Sequence, residues 1–298
     1  MHHSHHKIIM HKAGFVNIFG KPNAGKSTLL NAIIGEKLAI ISPKVQTTRH
    51  RITGVLTEPG YQIVFSDTPG IIDPKYKLHE KMMSAVKSAL EDADVALLIM
   101  DAKDSLEENL ELFESLRLKV PAILIINKMD NLVKADMDAL LERAKAWGKA
   151  KAVVAISARQ KKGLPELMKE IVAMLPEGNP FYPDDTLTDK STRFLVAEMI
   201  REKIFQLFEE EIPYHTTVIV TQFQEKETLT KITAEIIVTR DTQKGIILGE
   251  GGKSIRELGT QARKEIEQFI ERKVFLELFV KVRGKWRDND LFLKEYGY

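Results

Sequence analysis

Cysteine is absent from this 298-residue chain, which excludes disulfides and cysteine-ligated metal sites and suits a reducing interior. No apolar stretch approaches the roughly 20 residues that a membrane-spanning helix needs. The start, His2-His3-Ser4-His5-His6, lacks the apolar core of a secretory signal. It reads as a tag-like or mobile tail over 1–12, with transition-metal ligation as the alternative, and is set aside from fold reasoning. Neither sign of charge dominates: 44 Lys and Arg stand against 42 Asp and Glu. That balance is too even to name a nucleic-acid partner from the whole chain, so local clusters must decide. Internal repeats and low-complexity tracts are missing as well. What remains is an ordinary globular composition, 44% hydrophobic and 29% charged, long enough for two domains.

Within it, residues 20–27 read Gly20-Lys21-Pro22-Asn23-Ala24-Gly25-Lys26-Ser27, a complete G-x-x-x-x-G-K-S pattern. An apolar run, Phe15 to Phe19, precedes it, and a helical run begins at Ser27. A strand that delivers a glycine loop to a helix start lets the backbone N–H groups from Gly20 to Thr28 converge on a phosphate. Lys26 is then placed to reach the β- and γ-phosphates, and the Ser27 hydroxyl to ligate Mg²⁺.

Over 13–176, brief β-rich runs (61–66, 95–100, 122–126, 153–156) alternate with amphipathic stretches (77–90, 106–116, 136–147). This rhythm predicts an α/β domain, a mostly parallel sheet with helices on both faces and ligands at the carboxyl ends of its strands. Three prolines and a glycine in 176–185 make 177–190 an extended linker. Beyond it the pattern changes to helix, two strands, glycine-rich turn, long helix, strand and final helix, which predicts an α+β domain over 191–298.

Three further motifs fall at predicted strand ends. In Asp67-Thr68-Pro69-Gly70, the acid can hold Mg²⁺ through water and the Gly70 N–H can meet a γ-phosphate. In Asn127-Lys128-Met129-Asp130, a carboxylate can accept two hydrogen bonds from guanine that adenine cannot offer, while the Lys128 stem lies over the base. In Ser157-Ala158-Arg159, a backbone N–H can contact the guanine O6. Together with the phosphate loop, these motifs resemble the translation-factor-like small GTPases and disfavour an ATP-dependent kinase.

The segment Gln46-Thr47-Thr48-Arg49-His50-Arg51 is similar to the corresponding loop of the Era family of bacterial GTPases. That resemblance implies that Thr48, with Thr47 as the alternative, closes over the γ-phosphate and completes the Mg²⁺ shell; two threonines on an edge strand is the plainer reading. Lys26, Thr48, Gly70 and Asn23 become the catalytic set. Ile71 stands where Ras-like enzymes carry a water-orienting glutamine, so slow intrinsic turnover is expected. Related GTPases use an asparagine at the position of Asn23 to hold a monovalent cation such as K⁺; the alternative is that Asn23 only satisfies loop backbone.

Downstream, Gly245-Ile246-Ile247-Leu248-Gly249-Glu250-Gly251-Gly252-Lys253-Ser254-Ile255 resembles the KH signature, in the type II arrangement of bacterial proteins. A tight glycine turn between two helices lets a nucleic-acid phosphate approach bare backbone. Ile246, Ile247, Leu248, Gly249, Glu250, Gly251, Gly252, Lys253, Ile255 and Arg256 are the candidate RNA contacts. Glu250 departs from the usual basic pair, but residues 240–287 carry 12 Lys and Arg against 7 Asp and Glu. The resemblance further implies GTP and GDP as ligands, binding to the 3′ end of 16S rRNA, a role in 30S assembly, a cytoplasmic monomer, and peripheral association with the inner face of the membrane. Two rivals stay open: an RNA-binding factor whose nucleotide is structural, and a membrane-recruited GTPase whose KH-like domain binds protein.

Overall fold

The computed structural model describes residues 11–298; the histidine-rich start lies outside them. Two compact units emerge. The first comprises residues up to Leu38, Arg51–Ile71 and Ala85–Asp189, and the second Ala39–His50, Ile72–Ser84 and Lys190–Tyr298.

The first unit holds the strands β1 (Lys12–Phe19), β2 (Ile52–Glu58), β3 (Tyr61–Asp67), β4 (Val95–Asp101), β5 (Ala122–Asn127) and β6 (Ala152–Ala155). They form one sheet in the order β2-β3-β1-β4-β5-β6, parallel except for β2, which pairs antiparallel with β3. β4 is buried from Val95 to Met100 and β5 throughout, as central parallel strands covered on both faces must be. β6, at the edge, is only half-buried. The helices are α1 (Lys26–Ile34), α2 (Lys77–Asp92), α3 (Leu106–Ser115), α4 (Lys134–Lys145) and α5 (Leu164–Met174). α2 contributes residues to both units. α3 starts at Ser105, whose hydroxyl accepts from the Glu108 N–H, and α5 starts behind Gly163 with Pro165 in its first turn, both favoured helix openings.

The linker expected over 177–190 is extended but not loose. Lys12 bridges to Glu177. The fully buried Gln62 accepts from the N–H groups of Phe181 and Tyr182 at 2.7 and 3.0 Å and donates to the Tyr182 carbonyl at 2.8 Å. The Val55 N–H donates to the Leu187 carbonyl at 2.8 Å. Proline bars this stretch from helix, so side-chain amides and strand backbone satisfy its polar groups instead.

In the second unit come α6 (Thr192–Leu207), the short α7 (Ile212–His215), β7 (Thr217–Glu225), β8 (Thr230–Val238), α8 (Asp241–Leu248), α9 (Lys253–Ile270), β9 (Val274–Val282) and α10 (Asp290–Glu295). The sheet order is β7-β8-β9, antiparallel then parallel, which is the type II KH arrangement. Val196 and Ile200 of α6 pack with Ala262 and Ile266 of α9 over Ile232 and Ala234 of β8. The strand expected from 214 begins later, because Pro213 starts the helical turn of α7. The expected division into contiguous domains also misses Ala39–His50 and Ile72–Ser84, whose contacts lie with the second unit. Among the described residues no helix is long and apolar enough to cross a membrane.

Candidate functional site

The glycine loop joins β1 to α1 at the carboxyl edge of the sheet, as expected. Gly25 has φ 103°, a left-handed backbone that side chains resist, and a Cβ there would collide with the Asn127 amide. Lys26 is 5% exposed, and its Nζ donates to the Gly20 and Lys21 carbonyls at 3.2 and 2.8 Å. Burial lowers its pKa to about 8, with Asp67 countering part of the shift. The Lys21 side chain instead meets Glu108 at 2.9 Å, so only its backbone faces the loop's interior chemistry.

Ser27 Oγ donates to Asp67 Oδ2 at 2.5 Å. The structure therefore brings together two of the three predicted metal ligands, and their hard oxygens fit Mg²⁺ chemistry. Among the described residues no cluster of three or more His, Asp and Glu side chains offers another metal site. Thr68 Oγ1 donates to the Ile18 carbonyl at 2.6 Å and the Ile71 N–H to the Gly20 carbonyl at 3.1 Å. These two bonds fasten Asp67-Thr68-Pro69-Gly70 against the loop. Thr48 is grouped with the second unit, Ser27 and Asp67 with the first.

Asn127, 2% exposed, joins three predicted motifs. Its Nδ2 donates to the Ala24 carbonyl at 2.9 Å, and its Oδ1 accepts from the Ala158 N–H at 3.0 Å. Lys128, at φ 63°, sends its Nζ to the Asn23 carbonyl at 2.8 Å and to Asp101 Oδ2 at 2.6 Å. Asp130 is exposed, and the Ser157 hydroxyl, then Arg159, hold its carboxyl below the usual range. An ionised acceptor at the surface is what recognition of two N–H donors requires. Asp101 was missed in the sequence reading. No pattern in the sequence marked it: it ends β4, and only the pairing of the strands sets it beside Asn127.

In the second unit the turn Gly249–Gly252 lies between α8 and α9. Gly251 and Gly252 have φ 57° and 75°, with open space where a Cβ would sit, so the turn's backbone is accessible. Arg256 folds back on it, donating to the Gly252 and Gly251 carbonyls at 3.1 and 2.7 Å. Beside it runs a groove of about 330 Å³ lined by Ile255, Arg256, Gly259, Thr260, Arg263, Phe275, Leu276 and Leu278. Apolar walls with cationic rims suit unstacked bases and their phosphates. Ile246 is half exposed, but Ile247 is fully buried in the core with Leu258 and Val280. Ile247 is therefore a packing residue and not an RNA contact. Gly259, Thr260 and Phe275 were absent from the expected set. The spacing of 255/256, 259/260 and 263 along one face of α9 was the sequence signal for Gly259 and Thr260, whereas Phe275 lies on β9 and had none.

A strand-delivered phosphate loop, an Mg²⁺-type oxygen pair and a guanine-type carboxylate, followed by a KH unit, define a P-loop GTPase with an RNA-binding module. Residues 15–128 match the family described as 50S ribosome-binding GTPase, and 211–287 match the KH domain. The GTPase Era of a Geobacter species is 46% identical over 96% of this chain and 98% of that protein, and the chloroplastic ERA-like GTPase of rice is 41% identical over 97% of this chain and 70% of its own length. A crystal structure of Era in complex with MgGDPNP and nucleotides 1506–1542 of 16S ribosomal RNA superposes with a TM-score of 0.92 at 40% identity, covering 97% of this chain and 99% of that one. An Aquifex aeolicus Era variant bound to GDP.AlF4- gives the same TM-score and identity over 96% and 99%. This chain belongs to the Era family of GTPases.

The lowered Lys26 pKa generates a pH prediction. Phosphates favour the ammonium form, so binding raises this pKa. Affinity is then level below about pH 8 and falls as pH rises through the interval up to the bound value, by at most roughly tenfold per pH unit. Calorimetry with GTP at pH 8.5, in buffers of different ionisation enthalpy, should register proton uptake by the protein; its absence assigns no such role to Lys26.

Proposed function

We propose that this protein is a GTP-hydrolysing switch that binds the 3′ end of small-subunit ribosomal RNA and acts in assembly of the 30S subunit. The observation that carries the reading is Asn127, whose amide locks the phosphate loop to the Ser157–Ala158 turn and so fixes the frame around Asp130. The relative with 16S rRNA and MgGDPNP bound matches 97% of the chain and weighs more than the broad 50S description, which matches only 15–128.

In this reading the N–H groups of residues 20–28 and the Lys26 ammonium bind the β- and γ-phosphates. Ser27, Asp67 and Thr48 hold Mg²⁺, which supplies Lewis-acid stabilisation of charge on the phosphates. Water attacks the γ-phosphorus in line, the bond to the β–γ bridging oxygen breaks, and GDP and phosphate leave. The Gly70 N–H steadies the γ-phosphate. Ile71 can neither donate nor accept through its side chain, so turnover without partners is slow. A monovalent cation held near Asn23 adds positive charge where an arginine finger otherwise acts. Asp130 reads guanine, with Lys128, Ser157, Ala158 and Arg159 around the base. The turn at Gly249–Gly252, with Lys253, Arg256 and the groove beside it, takes single-stranded RNA. We place the protein in the cytoplasm as a monomer, with the basic surface of the KH unit suited to peripheral contact with an anionic membrane.

Calorimetry with GTP and ATP, together with polarisation titrations of a 16S 3′-end oligonucleotide, tests the reading. Binding of GTP but not ATP, and turnover that rises with the RNA, are expected; equal heats from the two nucleotides sink it. Asp130→Asn should lower GTP affinity on the order of 100-fold, the cost of mismatching a charged hydrogen-bonding group, and relax the preference for guanine. Turnover measured in KCl and NaCl at equal ionic strength should differ; identical rates remove the cation from the scheme. A Gly251→Asp, Gly252→Asp variant should lose RNA while keeping GTP, and retained RNA binding would point to a protein partner instead.

A further inference from the structure

β4 ends in an acid that neither the metal shell nor the guanine motif accounts for. Asp101 stands beside Asn127 in register, and its carboxylate is fixed from two sides. Oδ1 accepts from the Lys103 N–H at 3.0 Å, and Oδ2 meets the Lys128 ammonium at 2.6 Å. The backbone around it is equally constrained. The Ala102 N–H donates to the Asn127 carbonyl at 2.9 Å, and the Asp101 carbonyl accepts from the Asp104 N–H at 3.0 Å. An acid tied to the N–H two residues on forms an Asx turn, which presets the direction of its other oxygen.

Lys128 is held just as firmly. Its backbone is left-handed at φ 63°, a conformation that residues with a Cβ rarely adopt and keep only where neighbours impose it. The Met129 N–H donates to the Ile156 carbonyl at 3.0 Å, and the Lys128 carbonyl accepts from the Asn131 N–H at 2.9 Å. At the far end, Nζ donates to Asp101 and, at 2.8 Å, to the Asn23 carbonyl. A lysine stem fixed at root and tip has one course between them. The pair is partly open to water, its side chains 35% and 18% exposed, and an ion pair so placed adds little to stability. What it supplies is geometry.

Resting on the proposed function above, in which that stem lies over the base, we infer that Asp101 is a positioning residue for guanine nucleotides. It keeps the Lys128 ammonium on the Asn23 carbonyl, so the wall of the base slot and the phosphate loop are joined before a nucleotide arrives. The entropy of ordering a long, flexible side chain is then lost on folding and not on binding. The base is gripped alike in the ground state and the transition state, so Asp101 acts on affinity and residence time and leaves the rate of bond cleavage alone. Selection of guanine stays with Asp130, because an aliphatic stem laid over a ring has no donor or acceptor with which to read its edge.

The test uses the full chain with Mg²⁺ and the variants Asp101→Asn, Lys128→Met and their combination. Release of N-methylanthraniloyl-GDP, and of the same derivative of IDP, which lacks the exocyclic amine, is followed alongside steady-state GTP turnover. Asp101→Asn should release GDP about tenfold faster, the loss of one charge-assisted hydrogen bond, which falls mostly on dissociation. KM should rise by a similar factor, with kcat within about twofold of wild type. The ratio of GDP to IDP release should not change. The combined variant should release GDP no more than about twofold faster than Lys128→Met alone, because a residue that acts through another has nothing left to add. Unchanged release in Asp101→Asn, an additive combination, an altered GDP-to-IDP ratio or a loss confined to kcat each overturn the inference. Equal binding of GTP and ATP by the wild type is a separate result, and it strikes the proposed function itself. Should Asp101→Asn fail to fold, Asp101→Ser, whose hydroxyl can also close the turn, replaces it in the same cycle.

Discussion

One buried amide organises the nucleotide site. Asn127 has a donor and an acceptor, and each is satisfied by a different loop. A carboxylate there could not donate to Ala24, and an apolar residue would leave the Ala158 N–H unmet in a water-free setting, where an orphaned group is expensive. Position 25 takes no side chain partly because Asn127 occupies the space a Cβ would need. The phosphate loop, the guanine motif and the following turn are therefore one construction, although 103 residues separate Ala24 from Asn127.

Much of this was legible in the chain because the chemistry is local. Strand, glycine loop and helix follow one another directly from Lys12 to Ile34, and each motif ends an apolar run at the sheet's carboxyl edge, where parallel topology must place it. Asp101 escaped because a lone acid after a strand carries no pattern of its own; only the neighbouring register shows that it sits by Lys128. Ile247 was misassigned for the opposite reason. The KH signature is contiguous in sequence, but one turn of helix sends Ile246 outward and Ile247 into the core.

The course of Ala39–His50 was not legible at all. Its sequence gives a loop between a helix and a strand, and proximity along the chain assigns it to the first unit. Its contacts include Arg201 and Glu202, more than 150 positions away. α6 lacks a clean amphipathic stripe, and that was the visible clue: a helix with charge scattered round it is buried only if something polar covers it. That clue shows only that α6 is covered, not which segment covers it.

The fold of Arg256 over the turn it follows sorts the backbone by polarity. With the Gly251 and Gly252 carbonyls turned toward a guanidinium, neither acceptor is left without a donor. A group that approaches the turn therefore meets two carbonyls already taken, beside a Glu250 side chain that stays exposed.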